Sequence, residues 1–353
     1  MSAPTRQRST PRTGAGRVGR PGLLWLLLGV AVVCLALLTL PYLIPSFYVF
    51  VSTRVLIMGL LATAYNLVFG YAGYPALGHA AFFGLGGYAV GLGITRADLG
   101  FGPVLALAVL AGVAMGVVMG ILCLKVRGIY LLLLTLAAAQ ALFGLAFYQV
   151  ELTGGDNGIS NIERVGVPAS QNGFYYFTLA VVAVCLVGMW VFVKSPVGMV
   201  ITGLRESESR IDATGYNVAA YTIAVFAVSG AFSSVAGMLD TYLHGSVSPE
   251  NFGWLTSAEV MVFAILGGSR FFLGPFVGAA IVLFLEVYTS TFTDRWITVL
   301  GIIYVATALL LTEGVLGLVR SVRDRRRGDD GEGAAAPPGG SMGALPETVE
   351  VQR

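Results

Sequence analysis

Seven polar side chains stand inside long apolar runs: Asn66, His79, Gln140, Asp240, Glu259, Glu286 and Glu313. Charge at membrane depth costs at least about 2.5–3.5 kcal/mol on insertion scales, so each such group needs a partner or water. Asp240, Glu259 and Glu313 fall towards the ends of their runs, where a side chain reaches the interface at lower cost. Glu286 sits deeper and is expected to pair with Arg295 or to line a cavity. Asp240, Glu259 and Glu286 are also the residue types of a proton relay, which makes a proton-coupled carrier one reading of the chain.

Other chemistries find no support. The two histidines, His79 and His244, are far apart in sequence, and Cys34, Cys123 and Cys185 all lie in apolar runs. That spacing gives neither a metal site nor a disulfide framework. The nearest approach to a phosphate-binding loop runs from Gly188 to Ser195, with Val193 where the second glycine must stand. No ATP chemistry and no cofactor are therefore assigned to this chain. Neither a hydrolytic nucleophile constellation nor a basic–aromatic pattern for nucleic acid is present, so the chain is read as a non-enzyme.

The most charged internal stretch runs from Ser195 to Gly215, with Arg205, Glu206, Glu208, Arg210 and Asp212. The spacing of Val200, Leu204 and Ile211 predicts a short amphipathic helix that stops at Gly215. Such a helix either inserts into a groove of a soluble partner or lies as a solvated interfacial loop.

The elements that must hold these groups are membrane helices. The 353 residues are 56% hydrophobic and only 11% charged, too little charge to cover a water-facing surface. Apolar runs of about 20 residues give ten candidate spans: 22–44, 48–69, 75–95, 103–124, 129–150, 173–193, 218–243, 255–267, 271–288 and 296–319. The eighth is short for a crossing and reads as tilted or broken. Arg6, Arg8, Arg12, Arg17 and Arg20 precede the first span, and Arg320, Arg323, Arg325, Arg326 and Arg327 follow the last. An excess of basic residues marks cytoplasmic segments, so both termini are expected inside and the number of crossings even. Eight crossings with two re-entrant segments is the alternative. Residues 1–20 and 321–353 read as disordered cytoplasmic tails around a transmembrane domain at 21–320.

Glycine and proline at Gly70, Gly73 and Pro75 predict an interrupted helix with exposed backbone amides ahead of the third span, as in transporter solute sites. Close helix packing is the other account of such glycines, and it fits the four-residue spacing of Gly112, Gly116 and Gly120. The stretch Leu77–Gly84 echoes Leu266–Gly274, and spans two to five begin on the side opposite to spans seven to ten. That arrangement is either an inverted repeat or chance likeness in glycine- and phenylalanine-rich sequence.

Several motifs in order resemble one family. Asn66-Leu67-Val68-Phe69-Gly70-Tyr71-Ala72-Gly73 and Leu77-Gly78-His79-Ala80-Ala81-Phe82-Phe83-Gly84 are similar to branched-chain amino-acid ABC transporter permeases, specifically the member that pairs with a sister permease. Arg127-Gly128-Ile129-Tyr130, Thr153-Gly154-Gly155-Asp156-Asn157-Gly158 and Gly274-Pro275-Phe276-Val277-Gly278 continue the likeness, which covers roughly residues 50 to 318. Gly198, Leu204-Arg205-Glu206-Ser207-Glu208 and Gly215 resemble the family's ATPase-coupling loop, although Met199 replaces a usual arginine.

The resemblance implies an all-α permease that moves solute by alternating access and carries no cofactor of its own. ATP and Mg would be bound by two cytoplasmic ATP-binding subunits. A sister permease and an extracytoplasmic solute-binding protein complete the assembly in a bacterial cytoplasmic membrane. It implies that Arg205, Glu206 and Glu208 contact or position the ATPase, and it places Asn66, Tyr71, Tyr74, His79 and Phe82 near the solute pathway. Urea and short-chain amide importers use a similar permease, so the solute class stays open.

Overall fold

In the computed structural model, residues 35, 37–292, 295, 298, 301, 302, 304, 305, 314 and 317 are described. The expected first and tenth spans and both tails lie largely or wholly outside these residues, as does Glu313.

The described residues form helices and no sheet, apart from one isolated antiparallel bridge between Ile159 and Val247. The principal helices are α1 (Ser46–Asn66), α2 (His79–Thr95), α3 (Phe101–Cys123), α4 (Ile129–Tyr148), α5 (Gln171–Lys194), α6 (Pro196–Glu206), α7 (Glu208–Ala213), α8 (Val218–His244), α9 (Trp254–Gly267) and α10 (Gly274–Phe292). Six segments are long and apolar enough to cross a bilayer: Ser46–Tyr71, which is α1 with its continuation, and α3, α4, α5, α8 and α10. The third expected span starts four residues later than predicted, at His79, because residues 72–78 leave helical geometry. The 14 residues of α9 reach about 21 Å at 1.5 Å each, short of a hydrocarbon core of about 30 Å, as its sequence predicted.

Burial divides the bundle. In α1, 78% of the apolar window is enclosed, and in α8 67%. A helix apolar all round and enclosed on every side is a core element. In α5 only 17% is enclosed, and in α4 22%. Small residues permit the tight contacts at the centre. A methyl group at Gly112, Gly116 or Gly120 of α3 would collide with the backbone of α8 at Gly230, Phe226 or Ile223. Gly86 of α2 lies against the Ser234 carbonyl, and Gly237 of α8 against that of Phe83. Packing therefore accounts for the four-residue glycine spacing.

Local sequence sets the helix starts between residues 170 and 218. Ser170, Ser195, Ser207 and Asn217 each accept a hydrogen bond from the backbone N–H three residues on, and so cap α5, α6, α7 and α8. Pro196 occupies the first turn of α6, where its missing N–H costs nothing. Gly245 ends α8 in the left-handed conformation, φ 68°.

Candidate functional site

The site begins where α1 unwinds. Leu67–Tyr71 form a π-helical turn, a geometry that clusters at functional positions. The chain then leaves the helix through residues 72–78 and re-enters as α2. The predicted interruption is present, and some of the amides in it and at the start of α2 have partners. Leu77 N–H donates to Thr135 Oγ1 of α4 at 3.0 Å, and Ala80 N–H to Ser257 Oγ of α9 at 3.0 Å. Asn66 is fully buried and donates through Nδ2 to the Phe271 carbonyl at 3.3 Å, while its Oδ1 has no hydrogen bond. Gly70 backs onto the Ser269 carbonyl. The end of α1 is thus tied to the loop that contains the second of the two similar glycine-rich stretches.

His79 and Phe82 lie deeper, 1% exposed each. His79 Nε2 meets Ser229 Oγ at 2.9 Å, and Ser229 donates its only proton to the Ala64 carbonyl at 2.7 Å. Ser229 can then only accept from the ring, so His79 carries its proton on Nε2 and leaves Nδ1 bare. Nδ1 has no partner, and the ring stands edge-on to Tyr65 and Phe82.

The charged segment is built differently from expectation. One helix to Gly215 was predicted; two are formed, broken at Ser207, which is extended (φ −167°, ψ 106°) because its side chain caps α7. Gly215 follows the end of α7 at φ +87°. Gly198 packs beneath the end of α5, and Val200, Ile201 and Leu204 are buried, so α6 shows the predicted apolar edge. Ile211 contributes from α7 by lying over Gly203.

The polar residues of this segment divide into two sets. Arg205 donates to the Gly70 carbonyl and lies against Gly73, whose φ of +78° and close contact leave no room for a side chain. Glu208 pairs with Arg127 and accepts a hydrogen bond from the Tyr74 hydroxyl at 2.7 Å. Tyr74 has thereby used its proton, so at 3.1 Å it accepts from Thr222 of α8. Arg205 and Glu208 thus engage the chain itself. Glu206 points outward with its side chain 72% exposed, near Arg210 at 4.0 Å, and Met199 of the same helix is also exposed. Tyr71 is half-buried at the same break. The structure therefore joins Arg205 and Glu208 to the segment holding Tyr71 and Tyr74, while His79 and Phe82 form a separate cluster with Tyr65 and Ser229.

Sequence reasoning missed Thr222, Ser229, Thr135 and Arg127 as members of these networks. A hydroxyl on an apolar helix carries no sign of which distant residue it meets. Of the intramembrane carboxylates, Glu286 pairs with Arg54 at 3.5 Å, and Asp240 and Glu259 line one cavity with Arg54 at the opposite end of the bundle. Among the described residues no group of three or more His, Cys, Asp or Glu is placed to hold a metal ion.

The sequence model for the family described as "Branched-chain amino acid transport system / permease component" matches residues 47–319. The chain is 28% identical over 307 residues to the high-affinity branched-chain amino acid transport system permease proteins LivM of Salmonella typhimurium and Escherichia coli, covering 79% of this chain and 72% of each relative. A probable branched-chain amino acid transport permease protein LivM of Methanocaldococcus jannaschii is 24% identical over 218 residues, 51% of this chain and 63% of that protein. No solved structure matches.

Proposed function

Because the chain belongs to the branched-chain amino acid transport permease family, we propose that it is the membrane-spanning permease subunit of an ATP-binding-cassette importer for branched-chain or related amino acids. It is a multi-pass membrane protein, and its proposed setting is a bacterial cytoplasmic membrane. Its proposed partners are two cytoplasmic ATP-binding subunits, which bind ATP and Mg, a sister permease and an extracytoplasmic solute-binding protein.

The observation that carries the reading is the bond from Tyr74 to Glu208. It ties the charged α6–α7 segment to the unwound end of the most enclosed helix. In the proposed mechanism the ATP-binding subunits grip the outward residues of α6 and α7, including Glu206. Their closure moves the segment as a unit, because its apolar edge is already seated on the bundle. Arg205 and Glu208 pass that movement to residues 70–74, and the helix break changes its packing. The pathway beside Asn66, Tyr71, Tyr74, His79 and Phe82 then opens to the other side. No covalent chemistry on this chain is needed.

The test is reconstitution with the candidate partners in proteoliposomes and a solute panel of leucine, isoleucine, valine, urea and short-chain amides. Leucine uptake that requires ATP is the expected result. Selective uptake of urea or an amide would move the chain to that importer class. Uptake without ATP that collapses with the proton gradient would replace the importer by a proton-coupled carrier.

A further inference from the structure

We propose that an open cavity at the end of the bundle remote from α6 and α7 is a transit site for an aliphatic α-amino acid, with Asp240 receiving its ammonium group and Arg54 its carboxylate. The inference rests on the importer reading above and deepens it by naming the groups that would recognise the solute. The cavity measures about 370 Å³, within the range of roughly 300–1,000 Å³ usual for small-ligand sites. Arg54 and Met58 face it from α1, Phe83 from α2, Asp240 and His244 from α8, and Glu259 from α9.

Asp240 points to a ligand most directly. It is 7% exposed, and its Oδ1 accepts no hydrogen bond. His244 Nδ1 lies 3.4 Å from that oxygen, an ion pair only when the imidazole is protonated, and the same nitrogen donates to Asp240's own backbone carbonyl at 3.0 Å. A nearly buried carboxylate whose one nearby donor is shared with a backbone carbonyl is costly to maintain. Asp240 lines the cavity, and an ammonium group supplies three donors together with the opposite charge.

The other walls fit the remainder of the same molecule. Arg54 commits one nitrogen to Glu286 at 3.5 Å, a long contact, and a guanidinium has five N–H groups. It can therefore turn donors to a carboxylate. Glu259 and Glu250 add negative charge to the lining, which favours the ammonium end. Met58 and Phe83 give the lining a small apolar part, enough to touch a short aliphatic side chain, while Ser246, Ser248, Asn251 and Thr256 make the rest of it polar. A zwitterion bearing a hydrocarbon chain satisfies all three kinds of wall; a metal ion does not, since among the described residues no set of three ligands is clustered.

The experiment uses the full transport complex in proteoliposomes. Asp240→Asn keeps the shape and removes the charge, and leucine uptake is expected to fall by about tenfold or more. Uptake at the wild-type rate in this variant overturns the inference and leaves the importer reading standing. If the wild-type complex imports no amino acid, both fall. A second measurement does not depend on that variant's folding. Ser248, which also lines the cavity, is changed to Cys, and its labelling by a membrane-impermeant maleimide is followed by mass spectrometry. Leucine is expected to slow labelling and 4-methylpentanoate, which lacks the ammonium group, is not. Equal slowing by both, slowing by neither, or slowing by the solute-binding protein without leucine overturns the proposal.

Discussion

The two ends of the bundle treat charge in opposite ways. Around the α1 break, Glu208 is held by Arg127 and Tyr74, and Arg205 by the Gly70 carbonyl. Around the remote cavity, Asp240 keeps an oxygen without a hydrogen bond, and Arg54 meets Glu286 only at 3.5 Å. At the break the charges each have a close partner, although Asn66 Oδ1 beside them has no hydrogen bond, and such a tied network transmits displacement. An unsatisfied one is poised to take a ligand. Within one chain, the first arrangement suits coupling to a partner and the second suits contact with cargo.

Glu208→Lys should break the contrast most severely. It sets a cation beside Arg127 and removes the acceptor for Tyr74. The Arg127 side chain is 74% exposed, so the ion pair itself contributes about 0–1 kcal/mol, and most of the damage comes from the loss of the charged acceptor of Tyr74, worth about 1.5–3 kcal/mol. ATP-coupled uptake should fall by about a hundredfold or more while the protein still inserts; unchanged uptake with normal insertion would refute the linking role.

Tyr74→Phe probes the same link more gently. The hydroxyl is lost, and Glu208 and Thr222 each lose a bond. A hydrogen bond to a charged group is worth about 1.5–3 kcal/mol. The expected outcome is leucine uptake lowered by about tenfold with ATP hydrolysis less affected, a split read by measuring both in one preparation. Parallel loss of both activities would indicate general damage.

Ser207→Ala removes the cap that separates α6 from α7, worth about 1 kcal/mol. Uptake should fall by a factor of a few, and Ser207→Asp should restore it because aspartate caps equally well. Glu206→Gln should do least to the bundle itself. Its contact with Arg210 is at the surface, where a pair contributes about 0–1 kcal/mol. Thermal stability in detergent should be unchanged, and any loss should appear in the affinity for the ATP-binding subunits.

Much of the architecture was legible from hydropathy. Most boundaries of the spans from α1 to α10 lie within a few residues of expectation, since a bilayer demands apolar runs of set length. Which helices are central was not legible. In lipid an outward face is as apolar as an inward one, so α1 and α5 read alike although one is enclosed and the other is not. In the coupling segment, Val200 and Leu204 were readable from their spacing. The break at Ser207 was not, because the prediction followed the apolar period across it and ignored the capping serine. The inward turn of Arg205 and Glu208 was beyond reach as well. Their partners lie 135 and 134 residues away, and nothing local distinguishes a charge facing water from one that caps a distant carbonyl.

That last contact has a consequence for how the protein comes apart. The turn at Leu67–Tyr71 ends with a carbonyl that its own helix does not continue to cover, and Arg205 covers it from α6. The segment from 196 to 213 is therefore also a stopper for the innermost rod. Cutting or excising it would leave the Gly70 carbonyl without this donor, so the scaffold is expected to lose some of its stability along with its lever.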